Sequence, residues 1–351
     1  MHSHLWPGVP LALGSAILFG ATAPLSKILL GEIDPQLLAG ILYLGAGIGL
    51  SAFHLARRLI GVPAPEASLK TTDALWLAAV IFFGGVLGPV LFMQGLTFTD
   101  TASGSLLLNL EGLATMGIAW VVFRENVDRN LMLGAFAILA GAVTLSWEGK
   151  GISIDIGAAL IAAACLAWGI DNNLTRKLSS SDPVQISLVK GLVAGTVNIA
   201  AAFLRGASFP EIDYIGAAAI LGFFSVGVSL VLFVLALRHL GSARTGAYFS
   251  LAPFIGAIVA IVLLGEQITA KLIVAGSLMA IGLWLHLAER HAHEHEHEEL
   301  EHEHSHVHDD HHQHLNAAVD ELHSHRHKHT PLRHAHAHYP DLHHRHGHDH
   351  N

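Results

Sequence analysis

The feature that most constrains this chain is a series of ten long apolar stretches. A transmembrane helix needs roughly 20 mostly apolar residues, and each stretch is close to that length. Turn and charge signals such as Gly31-Glu32-Ile33-Asp34-Pro35 separate the stretches. Gly241 is a weak break, so the eighth and ninth stretches could also form one long helix. We predict an all-α integral membrane protein with ten transmembrane helices, at about 9–30, 35–56, 73–96, 101–123, 131–148, 154–175, 184–204, 214–237, 242–264 and 270–288.

The loops between these spans carry their Lys and Arg residues unevenly. If the N-terminus is cytoplasmic, the inside loops hold 10 Lys or Arg residues and the outside loops hold 4. Cytoplasmic loops of membrane proteins carry the excess of positive charge. We therefore expect a multi-pass protein of the cell (plasma or inner) membrane with both termini in the cytoplasm.

Composition separates residues 1–290 from residues 291–351. The tail holds 23 of the 28 His residues with 12 acidic and 4 basic residues, so we expect it to be disordered. The single cysteine, Cys165, excludes a disulfide framework, and the sequence has no phosphate loop that would mark an ATP-driven motor. No basic patch indicates a nucleic-acid partner. We expect no enzyme activity and no required cofactor; the expected partners are the lipid bilayer and a small solute, and the oligomeric state stays open.

An internal repeat divides the apolar body. Residues 88–145 align without gaps with residues 227–284, at a constant offset of 141, and the polar turn at 123–126 falls on 264–267. We predict two five-helix units, residues 1–149 and 150–290. Because five is odd, the second unit enters the membrane from the opposite side. Such inverted repeats are common in secondary transporters, whose solute site lies near the midplane between the halves.

These residues resemble the EamA family of the drug/metabolite transporter superfamily, over about residues 10–288. Each unit ends with an apolar helix, a turn containing Glu and a Gly-rich helix, as in Leu264-Gly265-Glu266 and Phe123-Arg124-Glu125. The family's Glu-Pro pair in the fourth span of a repeat is divided here between Glu111-Gly112 and Ala252-Pro253. The family's basic residue in the second span is matched by Lys190 in the second half only. The resemblance implies a ten-helix carrier of small solutes and no particular substrate.

Two charged residues lie within the predicted spans. A carboxylate at the depth of Glu111 costs at least about 2–3 kcal/mol on insertion scales, so such residues usually face a cavity. Glu111 could carry a proton during transport, or it could only fix packing. Lys190 either snorkels to the cytoplasmic interface or projects into the cavity, where it would favour a carboxylate-bearing solute or pair with Glu111.

Other polar residues are weaker candidates. Asn109 and Gln94 could hydrogen-bond a solute or a neighbouring helix. Asp171, Asn172 and Asn173 end the sixth span and could line the cytoplasmic mouth or form an ordinary interfacial helix end. At the membrane edges, Lys27 is expected to be an interfacial anchor, and Glu125 and Glu266 are expected to cap or anchor the helix that follows each.

The tail begins immediately after the last span with alternating His and Glu residues. Imidazole suits Zn, Ni, Cu and Co, and carboxylates can complete the ligand shell. The candidate ligands are His293, His295, His297, His302, His304, His306, His308, His311 and His312. Three functions follow from these observations: a carrier that exports a small metabolite, with or without proton coupling; a divalent-metal efflux carrier that uses the tail as a collector; and a membrane-anchored metal buffer or sensor.

Overall fold

The described part of the chain is helical up to residue 287. The computed structural model describes residues 8–61, 69, 71–123, 129–147, 155–175, 178 and 182–287, and four strands in the tail. Its helices are α1 Gly8–Gly20, α2 Thr22–Leu29, α3 Pro35–Leu59, α4 Ala74–Val80, α5 Gly88–Phe98, α6 Thr101–Leu107, α7 Leu110–Phe123, α8 Arg129–Ser146, α9 Ile156–Thr175, α10 Pro183–Leu204, α11 Ile212–Gly222, α12 Ser229–Phe249, α13 Ala252–Leu264 and α14 Ala270–Leu287.

The helices form apolar spans, as the sequence predicts. Among the described residues, nine helical segments are long and apolar enough to cross a membrane, and Ala270–His286 is a shorter apolar helix at the tenth predicted position. The large apolar side chains of Leu75, Leu204 and Val262 are 79–88% exposed, as expected for a surface that faces lipid. The prediction of a helical membrane protein is confirmed.

The second span of each half, α3 and α10, begins in the same way. The Asp34 carboxylate accepts a hydrogen bond from the backbone N–H of Gln36 at 2.9 Å, and Pro35 opens α3. In α10, the Asp182 carboxylate accepts from Val184 N at 2.8 Å, and Pro183 opens the helix. An aspartate at the N-cap satisfies a free backbone donor, and proline is preset for the first helical turn.

Irregular helical turns occupy equivalent positions in the two halves. The third span contains a π-helical turn at Ile81–Leu87, between α4 and α5, and the eighth contains one at Phe223–Val228, between α11 and α12. The fourth span is interrupted between α6 and α7, and the ninth is interrupted between α12 and α13. Non-helical backbone within a membrane is tolerated where it is buried in protein or lines a cavity.

Close contacts between the halves are reciprocal. A Cβ atom on Gly47 would lie 2.6 Å from Leu192 N, and one on Gly195 would lie 2.5 Å from Leu44 N. At this point the halves are offset by 148 residues, so Gly47 corresponds to Gly195, and Leu44 corresponds to Leu192. Exchanging the two halves therefore converts one contact into the other. The pair α8 and α14 behaves likewise, with Gly134 against Gly282 and Gly141 against Ala275. Reciprocal contacts of this kind are what an approximate two-fold axis between the halves produces.

The predicted boundary at Gly241 is not a break in the helix. The helix α12 runs without interruption from Ser229 to Phe249, but the rest of the ninth stretch forms a separate helix, α13, so the two stretches are not one helix either. A lone glycine costs a helix only about 1 kcal/mol relative to alanine, and no proline accompanies it. The interruption falls instead at Ser250 and Leu251, just before Pro253.

The tail contains short paired strands. These are β1 Ala292–Glu296, β2 Glu301–His306, β3 His323–Lys328 and β4 Arg333–Ala337, and β1 pairs with β4 and β2 with β3, both antiparallel. The disordered tail that composition predicts is therefore not confirmed. Alternation of His with charged or small residues gives these segments the two-residue period of a strand, which a composition argument does not consider.

Candidate solute site

An ion pair lies inside the bundle between α9 and α10. Lys190 Nζ is 2.5 Å from Asp171 Oδ2, and the two side chains are 18% and 7% exposed. The sequence left Lys190 between a snorkelling position, a cavity position and a pair with Glu111. The structure gives it a different partner, Asp171 of α9, beside the π-helical turn of the third span, which packs against both α9 and α10. Charges removed from water are tolerated when they are paired, and this pair carries no net charge.

Glu111 connects the two halves of the molecule close to this ion pair. Its Oε1 atom accepts a hydrogen bond from Asn172 Nδ2 at 2.9 Å, and the same amide group lies 3.1 Å from Thr115 Oγ1. Glu111 and Thr115 belong to α7 in the first half, and Asn172 belongs to α9 in the second. Glu111 stands in the first turn of α7, directly after the interruption of the fourth span. The site is therefore assembled across the junction between the halves.

The run from Asp171 to Asn173 lies inside helix α9, before its last residue, Thr175. Asp171 and Asn173 are 5% and 3% exposed. Asn173 Nδ2 donates to the carbonyl oxygen atoms of Thr115 and Gly169, at 3.0 and 2.8 Å. These contacts do not fit a solvated interfacial helix end. Asn173 fastens α9 to α7, whereas Asp171 and Asn172 face the two charged partners described above.

The π-helical turn of the third span contributes backbone to the same cluster. The carbonyl oxygen of Gly84 accepts from Tyr43 OH at 2.9 Å and from Trp168 Nε1 at 3.1 Å. A Cβ atom on Gly84 would lie 2.0 Å from Asp171 Oδ2 and 2.6 Å from Lys190 Nζ. Glycine is therefore required for the third span to approach the ion pair.

Sequence reasoning missed four members of the cluster. Tyr43, Thr115 and Trp168 resemble ordinary residues of apolar spans, and Gly84 resembles one of many packing glycines. The available signal was indirect: Trp168-Gly169 is one of the positions at which the two halves match. Together the cluster offers one ammonium group, two carboxyl groups, the amide of Asn172, two hydroxyl groups and two aromatic rings.

Two of the predicted site residues lie apart from this cluster. Asn109 is buried at the interruption of the fourth span, where its Nδ2 atom donates to Leu106 O at 2.8 Å and lies 3.9 Å from Met279 Sδ. The backbone N–H of Asn109 donates to the same carbonyl group at 3.1 Å, so the residue closes the end of α6 twice. Gln94 is half-buried on α5, towards the end of the third span that is farther from the π-helical turn.

A second polar network ties the halves together at the end of the bundle where the third and fourth spans meet. Glu266 accepts hydrogen bonds from the backbone N–H groups of Thr101 and Ala102, at 2.8 and 2.7 Å. Lys27 Nζ donates to the carbonyl groups of Leu96 and Thr99. Glu266 is a capping residue, as expected, but it caps α6 of the other half and not the helix that follows it. Glu125 lies outside the described residues.

Candidate metal ligands are considered first in the helical part of the chain and then in the histidine-rich tail. Among the residues whose side chains the structure describes, no group of three His, Cys, Asp or Glu residues is arranged to hold a metal ion. In the tail, His293 and His295 lie on β1, and His302, His304 and His306 lie on β2. His297, His308, His311 and His312 lie outside the described residues.

Comparison with protein families gives one match that occurs twice along the chain. A family model described as the EamA-like transporter family matches residues 6–147 and again residues 155–288. The two matches together cover most of the chain and leave out the histidine-rich tail.

Three relatives have been named as transporters. A protein of Methanothermobacter thermautotrophicus named "Uncharacterized transporter" is 30% identical over 296 residues, which cover 80% of this chain and 86% of that protein. An uncharacterized transporter of Bacillus subtilis is 23% identical and covers 78% of this chain and 92% of its own length. A "Probable amino-acid metabolite efflux pump" of Salmonella typhimurium is 25% identical, over 79% of this chain and 93% of that protein.

A solved crystal structure shares the fold. It superposes with a TM-score of 0.59 at 19% sequence identity, over 80% of this chain and 95% of that chain. At this identity the likeness concerns the fold alone.

Proposed function

The chain belongs to the EamA-like transporter family, and on that premise we propose that it is a secondary carrier that exports a small metabolite by alternating access. It is a multi-pass membrane protein with no enzyme activity. In the proposed arrangement, ten spans form two inverted five-helix units, and both termini face the cytoplasm, in keeping with the distribution of Lys and Arg among the loops.

The observation that supports the proposal best is the hydrogen bond between Glu111 and Asn172. It joins the two halves at a distance of 2.9 Å, beside the buried ion pair of Asp171 and Lys190. In transporters with inverted repeats, the solute binds at the interface of the halves, where discontinuous helices expose backbone groups. Here the fourth span is interrupted directly before Glu111. A solute that took the place of Asn172 at Glu111 would break this hydrogen bond between the halves. Alternating access needs such a link between solute binding and movement of the halves.

The chemistry of the site favours a solute that carries both charges. Glu111 offers a carboxyl group to an ammonium group, and Lys190 offers an ammonium group to a carboxylate that displaces Asp171. Amino-acid metabolites have this pattern, and one relative is named as a probable efflux pump for them. Trp168 and Tyr43 supply rings against which an apolar side chain could pack. Amino-acid metabolites are therefore the first solutes to test.

Proton coupling is proposed for Glu111. When the outward-moving solute leaves, the carboxylate of Glu111 would take up a proton and carry it inward, so that the site returns without an unpaired charge. The proton that enters on Glu111 would be released on the cytoplasmic side when the next ammonium group binds. A neutral amide at this position can still accept and donate hydrogen bonds but cannot carry a proton.

Proteoliposomes test this assignment. The wild type should move a labelled amino-acid metabolite against its gradient when a pH gradient is imposed. Glu111→Gln should lose this gradient-driven flux, by about tenfold or more, and should keep solute-for-solute exchange. Glu211→Gln is the matched control, because Glu211 is exposed at the start of α11, and its flux should equal that of the wild type. Full gradient-driven flux in Glu111→Gln would remove Glu111 from the mechanism.

A further inference from the structure

Pro89 removes a backbone donor from the middle of the third span. In the π-helical turn just before it, the Gly88 N–H group donates to Phe83 O, five residues earlier. The next donor in the chain would be that of residue 89, and proline has no N–H group. That donor would serve Gly84 O in the π-helical pattern or Gly85 O in the α-helical pattern. Both carbonyl groups therefore need partners from outside the helix, because backbone polar groups within a membrane must be satisfied.

Side chains of three other helices supply the missing donors. Gly84 O accepts from Tyr43 and Trp168, at the polar cluster of the proposed solute site. Gly85 O accepts from Asn198 Nδ2 of α10 at 3.2 Å, and the Asn198 side chain is fully buried. An amide of the second half of the chain therefore replaces a backbone donor that the first half lacks.

At the equivalent place in the eighth span, leucines stand for both the proline and the amide. Leu230 lies two residues after the π-helical turn of that span, as Pro89 does in the third span. The offset of 148 residues places Leu50 of α3 where α10 has Asn198. The turn of the third span packs against α10, and the turn of the eighth packs against α3. The turn that lacks a donor thus meets an amide, and the turn that keeps its donor meets a leucine.

Asn198 shares a face of α10 with the lysine of the ion pair. Lys190, Ala194 and Asn198 follow one another at intervals of four residues, which places them along one side of the helix. A Cβ atom on Gly85 would lie 2.6 Å from Ala194 Cβ and 3.3 Å from Lys190 Cγ. The third span therefore lies against this face. Its neighbouring residue Gly84 is the one that approaches the ion pair most closely, so a shift of the turn would change the site.

We propose that Asn198 is a positioning residue, which holds the π-helical turn of the third span against the ion pair of Lys190 and Asp171. It acts through Gly85 O, to which it donates the hydrogen bond that proline withholds, and it needs no contact with the solute. The consequence for transport rests on the proposed function, whereas the hydrogen bond itself can be tested without any solute.

The first test measures stability in detergent. Asn198→Leu removes the donor at nearly the same size and should lower the thermal unfolding midpoint by roughly 2–4 °C, because Gly85 O is left buried without it. Pro89→Ala returns an N–H group at residue 89, so Asn198→Leu should cost less than half as much in that background.

The matched control for this test is Asn109→Leu. Asn109 is also a buried amide that donates to a backbone carbonyl group, Leu106 O, and it has no connection with Pro89. Its loss should lower the midpoint equally with and without Pro89→Ala. Equal costs of Asn198→Leu in the two backgrounds would overturn the proposal.

The second test asks whether the turn must be held for transport. Solute-for-solute exchange of a labelled amino-acid metabolite is measured in proteoliposomes with the same pH on both sides. Asn198→Asp can donate to Gly85 O only while its carboxyl group is protonated, so its exchange rate relative to the wild type should fall by about fivefold or more between about pH 5 and pH 9. Asn198→Leu should be slow throughout this range.

The outcomes separate this inference from the proposed function. Exchange by Asn198→Leu at the wild-type rate, or a rate for Asn198→Asp that keeps a constant ratio to the wild type, would overturn the positioning role and leave the carrier standing. Absence of exchange in the wild type would instead count against the proposed solute. The stability comparison would then still decide whether Asn198 holds the turn.

Discussion

At the scale of single residues, the buried ion pair joins two side chains that come from different helices. Lys190 and Asp171 are 19 positions apart in the sequence, and their charged atoms are 2.5 Å apart in the structure. Sequence alone places both residues in apolar spans. It does not fix how α9 and α10 are rotated against each other, because that rotation is set by packing. This is why Lys190 could be singled out while its partner could not be named.

The pair predicts an unequal response to single and double substitution. Lys190→Ala should lower the free energy of unfolding by about 3–5 kcal/mol, because it leaves the Asp171 carboxylate buried without a partner. Lys190→Ala combined with Asp171→Ala should recover most of that loss, since both charges are then absent. Thermal unfolding in detergent measures both. A double variant that is less stable than Lys190→Ala would show that the pairing does not stabilise the bundle.

Gly84 predicts a local steric effect on the site. In Gly84→Ala, the new Cβ atom would lie 2.0 Å from Asp171 Oδ2 in the present backbone. We expect the third span to move away from the ion pair, with a loss of solute flux of about tenfold and a lower unfolding midpoint. Gly216→Ala on α11 is the control, because a Cβ atom there would meet nothing within 4 Å. Equal flux in the two variants would mean that the third span does not help to form the site.

At the scale of helices, sequence predicted the ends better than the interiors. Asp34-Pro35 and Asp182-Pro183 open α3 and α10, as an aspartate followed by proline predicts. The π-helical turn at Ile81–Leu87 carries no comparable signal. It packs against α10, and its counterpart in the eighth span packs against α3, so both turns depend on contacts made between distant segments.

The cap that Glu266 forms on α6 predicts a contribution to stability that crosses the two halves. Glu266→Ala leaves the backbone N–H groups of Thr101 and Ala102 without their carboxylate acceptor and should cost about 1–2 kcal/mol. Glu211→Ala is the control, because the Glu211 side chain makes no cap hydrogen bond to α11. Unfolding midpoints in detergent compare the two. A midpoint for Glu266→Ala no lower than that for Glu211→Ala would contradict this role.

At the scale of the whole molecule, the repeat in the sequence anticipated the reciprocal contacts in the structure. The constant offset between 88–145 and 227–284 predicted two equivalent units, and Gly134 against Gly282 and Gly141 against Ala275 show how they meet. The polar site does not share this symmetry, because Lys190 is matched by Leu42 and Glu111 by Ala252. The repeat therefore predicts the helical frame, whereas the polar residues of the proposed solute site differ between the halves.

The central claim is that the two halves enclose a polar site that opens to each side of the membrane in turn. Thr115→Cys, in a protein that also carries Cys165→Ala, places one thiol beside Glu111 and Asn172. A membrane-impermeant maleimide applied in separate experiments to each side should label this thiol from both, and saturating solute should slow both reactions. Leu166→Cys in the same background, half exposed on the outer surface at the middle of the sixth span, should react from neither. Labelling of Thr115→Cys from only one side, with or without solute, would contradict alternating access.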